Sequence, residues 1–208
     1  ARKDEKAFKT FISSMENQIK FMSADPEMAF YDKLVEVTTS NNPRIFNYPK
    51  PEKIQSLTLD QIYSVYEKLY KSANDYTFII VGNFEVDKII PMIETYIGSL
   101  PVSTEKRNWV ERKIDFPKGK TEALVNKGKE PKSSVALVFK GDVPFNDKNI
   151  IVTRLLSNAL SIKLRETMRE DQGGVYGVSA SIGINKYPKS TFEINVSWGC
   201  SPDNVEKL

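Results

Sequence analysis

Hydrophobic residues in the first hundred positions recur mainly at helical spacing. Asp25 stands before a proline and marks one helix start, because aspartate caps free amides and proline suits the first turn. Thr58 and Gln61 fit a capping box that opens another helix. Residues 86–97 return to helical spacing and end at Gly98, a typical C-terminal signal. Ahead of these, a stripe of six apolar residues predicts the first helix: Ala7, Phe8, Phe11, Met15, Ile19 and Met22.

Other stretches of the first half are predicted to be non-helical. Residues 76–81 form a nearly continuous apolar and β-branched run, which predicts a buried strand. Residues 43–55 contain three prolines and predict an irregular surface connection. The polar, Lys/Glu-rich stretch 102–120 is interrupted by proline and glycine, so we expect the principal linker there.

After this linker the pattern changes to strands around one long helix. Residues 122–126 and 134–140 predict two strands, and residues from about 146 to 170 predict the helix. Apolar and polar residues then alternate through 178–184 and again through 192–198, which predicts two half-buried antiparallel strands. Helices layered on an antiparallel sheet make the predicted fold class α+β.

The absence of one residue type, histidine, excludes several kinds of catalytic and metal-binding site. The 208 residues contain no histidine, which excludes Ser-His-Asp triads, imidazole bases and His-containing zinc sites within the chain. A single cysteine, Cys200, excludes an intrachain disulfide and a Cys-rich metal cluster. The 30 basic and 27 acidic residues are interleaved, so we expect no nucleic-acid partner. No apolar run approaches the roughly 20 residues of a membrane span.

Two local features suggest ligand sites but fit them poorly. The acidic stretch 142–147 lacks the regular oxygen spacing and the closing glutamate of a calcium loop, which favours a loop and helix cap. Gly82 and Gly98 lie too far apart to form a phosphate-binding turn, so we expect them to end a strand and a helix.

Arg169 and Tyr176 are the candidate site residues. Arg169 lies in the last turn of the long helix and Tyr176 at the entrance of the next strand, with a two-glycine turn between them. If the strand folds back, a guanidinium and a phenol over one cleft would supply fixed donors for a carbonyl or an oxyanion. On spacing alone a structural interpretation is favoured over this one: the arginine interacts with the helix dipole, and Tyr176 shares the parity of Val178, which places its ring on the core face.

The sequence around these two residues resembles the pitrilysin/insulinase family of zinc metallopeptidases, the inverzincins. Arg169 and Glu170, followed by Gly173 and Tyr176, look like the arginine–tyrosine motif in the C-terminal half of that family. Four upstream segments are similar, in the same order, to those that close one family domain before the linker to the next: residues 57–62, 70–74, 79–84 and 96–101.

The resemblance implies a fold, a cofactor and a division of labour. The implied fold is the LuxS/processing-peptidase type of α/β sandwich, in which helices cover an antiparallel sheet. In that family a His-x-x-Glu-His motif of the first domain binds zinc and supplies the general base. The C-terminal half holds the substrate backbone and stabilises the tetrahedral intermediate, roles that fall here to Arg169 and Tyr176. Zinc is then expected in the parent protein but outside this chain, which alone should be inactive.

The resemblance also suggests where the chain lies in its parent. Residues 1–101 look like the closing half of one domain, 102–120 like the linker, and 121–208 like the opening half of the next, in the region called the inactive domain. The halves either pack as a single permuted domain or complete each other between two chains as a homodimer.

The resemblance also suggests partners and a compartment. Expected partners are a peptide or unfolded polypeptide substrate and the N-terminal, zinc-binding half of the same protein, with the bacterial periplasm or cell envelope as the favoured compartment. The alternative function is a non-catalytic interaction or structural module.

Overall fold

The computed structural model describes residues 3–104 and 108–208, which divide into two compact units. The first unit takes in residues 1–18 and 50–110, and the second takes in residues 19–49 and 111–208. The helices described before the sheet are α1 (Glu5–Ala24), α2 (Pro26–Thr38), α3 (Pro51–Gln55), α4 (Leu59–Tyr70) and α5 (Val86–Tyr96), with a short 3-10 turn at Ala73–Asp75. In the described parts of the chain, no helix is long and apolar enough to cross a membrane.

The predicted helix starts are confirmed by their capping hydrogen bonds. The carboxylate of Asp25 accepts a bond from the amide of Glu27 at 2.7 Å and so caps α2. At α4, the Gln61 amide donates to the Thr58 hydroxyl, and the Gln61 side chain accepts from the Thr58 amide. At the end of α5, a Cβ on Gly98 would lie 2.6 Å from the Glu94 carbonyl oxygen, so only glycine fits there without a shift.

The predictions for three segments are wrong: residues 76–81, 122–126 and 43–55. Residues 76–81 form no strand, and Ile79 and Val81 are 82% and 91% exposed, because no described strand pairs with them. Residues 122–126 also lack a ladder partner among the described residues and form no strand. The connection 43–55 is not wholly irregular, because Pro51 occupies the first turn of a helix and starts the five-residue α3.

The second unit contains the sheet and confirms the α+β class. Besides α2 and the end of α1, its elements are β1 (Ser133–Asp142), α6 (Asp147–Leu164), a π-helical segment (Arg165–Asp171), β2 (Val175–Asn185) and β3 (Thr191–Cys200), followed by a 3-10 turn at Pro202–Asn204. The strand order among the described residues is β1-β3-β2, and both pairings are antiparallel. The long helix and the two alternating strands therefore form as the sequence predicts, apart from the change of helix type at Arg165.

The core of this unit lies between the π-helical segment and the inner face of β3. It consists of the buried residues Met168, Val196, Trp198 and Cys200. Helix α6 packs on β2 through polar contacts as well: the hydroxyl of Ser161 donates to the Ala180 carbonyl at 2.9 Å. The sheet is therefore covered by a helix on one face, and its glycine- and serine-rich opposite face is largely exposed.

Candidate functional site

The candidate site is built on the turn between α6 and β2. At Arg165 the helix widens from α to π geometry and keeps it to Asp171. The amide of Gln172 then donates to the Thr167 carbonyl at 3.2 Å, five residues back, as π geometry requires. Such segments are rare in proteins and occur often at functional sites. The hydrophobic spacing of the sequence did not predict this π-helical segment, because the spacing continues at the α-helical period as far as Met168.

A two-glycine turn returns the chain to the sheet. Gly173 has φ +59°, the left-handed conformation that favours glycine after a helix end. Gly174 donates its amide to the Met168 carbonyl at 3.3 Å, so the turn is tied to the buried part of the π-helical segment. A Cβ on Gly174 would lie 3.2 Å from the side chain of Leu208, so this backbone runs close to the C-terminal residue.

A β-bulge turns Tyr176 away from the core. Val175 pairs with Cys200 and Gly177 pairs with Gly199, so Tyr176 is an extra residue in the β2–β3 ladder. Val175 then lies on the core face with Val178, while the Tyr176 side chain is exposed, at 66% of its surface. The structural interpretation that places this ring in the core is therefore wrong. Gly177 is the sequence signal that could have revealed the bulge, because glycine inside a strand often marks one.

The Arg169 side chain is also exposed, and it forms no hydrogen bond or ion pair with the described residues. It follows the buried Met168 directly, and its side chain lies on the solvent side of the π-helical segment. Within the described residues, neither the guanidinium of Arg169 nor the phenol of Tyr176 forms a hydrogen bond or an ion pair, and they are not bonded to each other. The structure thus places Arg169 on the π-helical segment before the glycine turn and Tyr176 in β2 after it, both exposed.

Beside Tyr176 the exposed face of the sheet carries small and polar residues. A Cβ on Gly199 would lie 3.7 Å from the Tyr176 ring, so the ring lies next to this glycine. Two pairs further along the ladder, the hydroxyls of Ser179 and Ser197 are hydrogen-bonded at 2.9 Å. The side chains on this face are short, and the hydroxyls of Ser179 and Ser197 are bonded to each other.

The core behind the turn is apolar and uncharged. Burial raises the pKa of the Cys200 thiol, and the neighbouring indole of Trp198 opposes this only in part. The indole N–H of Trp198 is buried, and it donates no hydrogen bond within the described part of the chain. The thiol therefore stays neutral near pH 7 and contributes to packing, not to reactivity.

Among the residues that the structure describes, no side chains are arranged as a zinc site. Zinc in proteins is held by Cys, His, Asp and Glu, usually four ligands or three with a water. No group of three or more of these residue types is placed to hold a metal ion in the described ranges. The acidic stretch 142–147 serves structure instead, since Asp142 pairs with Lys189 at 2.5 Å and Asn146 caps α6.

Comparisons with known proteins agree on one group of relatives. A family model described as "Peptidase M16 inactive domain" matches residues 56–208. The "Probable zinc protease PqqL" of Haemophilus influenzae is 23% identical over 189 residues, which is 90% of this chain and 20% of that protein. Its Escherichia coli counterpart is 25% identical over 158 residues, 75% of this chain and 17% of the relative. The chain therefore spans about a fifth of the length of the curated relatives it matches.

Solved structures show the same fold. The crystal structure of the periplasmic protease PqqL from Escherichia coli matches with a TM-score of 0.83 and 20% identity, over 98% of this chain and 22% of that chain. A mutant of the ferredoxin protease FusC, in complex with Arabidopsis ferredoxin, matches with a TM-score of 0.78 and 16% identity, with the same coverage.

The matched region contains α4, α5, the whole sheet and the turn that carries Arg169 and Tyr176. Because the family match extends over most of the chain, the chain belongs to the M16 peptidases, the pitrilysin/insulinase family, and corresponds to the region of their inactive domain.

Proposed function

We propose that this chain is the substrate-facing, non-zinc part of a zinc-dependent metalloendopeptidase. The observation that carries the proposal is the bulge at Tyr176, which turns a phenol out of the core just after the glycine turn, while the exposed Arg169 lies on the π-helical segment just before that turn. Bulges next to active sites commonly re-aim one side chain in this way. The zinc and the general base are then supplied by another part of the parent protein.

The two side chains have complementary chemistry toward a peptide. The Arg169 guanidinium presents five donors in a planar fork and holds backbone carbonyl oxygens in a fixed direction. The Tyr176 phenol donates one hydrogen bond, which becomes stronger as negative charge develops on the oxygen of an attacked carbonyl. Arg169 therefore positions the peptide, and Tyr176 stabilises the oxyanion.

The first unit supports the proposal that the chain spans parts of two domains. Its apolar run 76–81 is exposed and lacks a strand partner among the described residues, although its composition is that of a buried central strand. We propose that residues 1–101 close one peptidase-like domain, that 102–120 connect the two, and that 121–208 open the next. The remaining strands and the zinc-binding half are then supplied by the parent protein.

The relatives also support a proposed substrate class and compartment. FusC is a ferredoxin protease solved with its protein partner, and the matching PqqL is described as periplasmic. We accordingly propose a peptide or unfolded polypeptide as the substrate and the bacterial periplasm as the compartment.

The function is tested on the full-length parent enzyme with a quenched fluorescent peptide. Arg169→Lys keeps the charge but loses the planar fork, so we expect kcat/KM to fall by about 10- to 100-fold, in proportion to a lost charge-assisted hydrogen bond. The matched control is Arg165→Gln, an exposed arginine on the same π-helical segment, which should retain activity. Equal activity of both variants and wild type would favour the alternative, a non-catalytic interaction module.

A further inference from the structure

Gly199 lies in the middle strand of the described sheet, opposite the bulge that contains Tyr176. Strand β3 is paired with β1 on one side of this glycine and with β2 on the other. The residues on either side of it in sequence, Trp198 and Cys200, belong to the buried core. Because successive residues of a strand point to opposite faces, Gly199 faces the exposed side of the sheet.

The backbone conformation of Gly199 does not require glycine. It lacks the positive φ that Gly173 has, so an L residue would adopt the same conformation without strain. Glycine inside a strand is also unfavourable, because it loses more conformational freedom on folding and has no side chain to pack. Such a glycine often marks a place where another group approaches the backbone closely.

The group that approaches Gly199 is the ring of Tyr176. A Cβ on Gly199 would lie 3.7 Å from the Cδ2 atom of that ring and 3.8 Å from the carbonyl oxygen of Ser133. By contrast, a Cβ on Gly177 or on Gly183, the two glycines of β2, would meet nothing within 4 Å. A side chain larger than alanine at position 199 would therefore compete with the tyrosine ring for the same space.

We propose that Gly199 is a positioning residue for the Tyr176 phenol. The ring lies against the backbone of β3 because Gly199 has no side chain, and this contact restricts the directions in which the ring turns. The bulge determines the face of the sheet from which the side chain starts, and Gly199 determines where the ring rests on that face. This inference rests on the proposed function of Tyr176 as an oxyanion donor, and it assigns Gly199 no contact of its own with the reacting atoms.

The position of the ring matters because a donor stabilises an oxyanion only at hydrogen-bond distance. A displacement of about 1 Å in such a group costs on the order of 100-fold in rate. The Tyr176 side chain is 66% exposed, so few contacts within the described residues hold it in place. The contact with Gly199 is one of these few, and changing it should therefore alter catalysis.

The kinetic test uses the full-length parent enzyme and a quenched fluorescent peptide. Gly199→Val introduces a side chain that favours strands but occupies the space of the ring, so kcat should fall by about 10- to 100-fold with little change in KM or in thermal stability. Gly199→Ala adds only a Cβ at an ordinary contact distance and should keep the wild-type kcat. Gly183→Val is the matched control and should also keep it, because a Cβ there meets nothing within 4 Å.

A double mutant separates an effect through the phenol from a general effect on the enzyme. Tyr176→Phe has already lost the hydroxyl, so adding Gly199→Val to it should lower kcat no further. A wild-type kcat in Tyr176→Phe would show that the proposed function of the phenol is wrong. A reduced kcat in Tyr176→Phe together with a wild-type kcat in Gly199→Val would overturn the role of Gly199 alone.

Fluorine nuclear magnetic resonance measures the position of the ring without catalysis. With fluorotyrosine incorporated in place of Tyr176 in the parent enzyme, we expect the resonance to shift in Gly199→Val and to stay unchanged in Gly183→Val. Gly199→Ser makes a smaller addition and is the second variant if valine prevents folding; it should shift the resonance in the same direction. An unchanged resonance in a folded Gly199→Val or Gly199→Ser enzyme would overturn the proposal, whatever the activity.

Discussion

The main-chain amide of Gly174 donates a hydrogen bond to the carbonyl oxygen of Met168 across 3.3 Å. This bond joins the entrance of β2 to the one buried side chain described in the π-helical segment. Arg169 is the next residue after the acceptor, and Tyr176 lies two residues after the donor. The directions of both candidate side chains therefore depend on how Met168 packs and on how the glycine turn closes.

The glycine turn leads to a prediction about backbone conformation. Gly173→Ala should lower the free energy of unfolding by about 1 kcal/mol, because an L residue is strained at φ +59°. Gly183→Ala is the matched control, since a Cβ at either glycine meets nothing within 4 Å but Gly183 has no positive φ. Urea denaturation of both variants measures the difference. Equal stabilities would mean that the left-handed conformation is not what requires glycine at 173.

The packing of Met168 leads to a second prediction. Met168 is 5% exposed and packs with Val196, Trp198 and Cys200, so Met168→Ala should destabilise the chain by about 2–5 kcal/mol. Leu155→Ala is the control, because Leu155 on α6 is 64% exposed and should change stability by less than about 0.5 kcal/mol. Hydrogen exchange adds a local measurement: the Gly174 amide should lose protection in Met168→Ala beyond the global change. Retained protection there would contradict the link between the core and the turn.

The buried thiol makes stability depend on pH in a defined direction. Burial raises the pKa of Cys200 in the folded chain, so the unfolded chain loses this proton first as the pH rises. The thiol's contribution is complete below its ordinary pKa and is lost above it, up to the raised value. We expect the stability difference between wild type and Cys200→Ala to shrink as the pH rises through the interval that begins near the ordinary thiol pKa of about 8.5. A difference that stays constant or grows over this interval would show that the thiol is not desolvated.

The sequence predicts the elements whose stabilising contacts lie within the chain. The cap at Asp25 and the capping box at Thr58 involve residues two or three positions apart, so their patterns are sufficient. The alternating strands β2 and β3 pair with each other and form as expected. Residues 76–81 have the same kind of signal, but a strand exists only with a partner, and no described strand supplies one. A hydrophobic pattern indicates that a segment tends to be buried. It does not indicate whether the chain contains the surface against which that segment would pack.

The candidate residues come from the sequence motif, and their geometry could not be predicted from it. The motif identifies Arg169 and Tyr176, whereas simple parity places the Tyr176 ring in the core. The bulge reverses this result, because one extra residue in a ladder moves every preceding side chain to the other face. The π-helical segment was not predicted either, because the hydrophobic spacing as far as Met168 is that of an α-helix.

The role of the Tyr176 phenol is tested most directly by Tyr176→Phe in the full-length parent enzyme. This variant removes one hydroxyl from an exposed ring, so stability should be unchanged. If the phenol stabilises the oxyanion, kcat should fall by roughly one to three orders of magnitude with little change in KM. Tyr187→Phe, another exposed tyrosine, is the control and should keep full activity. A Tyr176→Phe enzyme with the kcat of wild type would contradict the proposed role of this chain in catalysis.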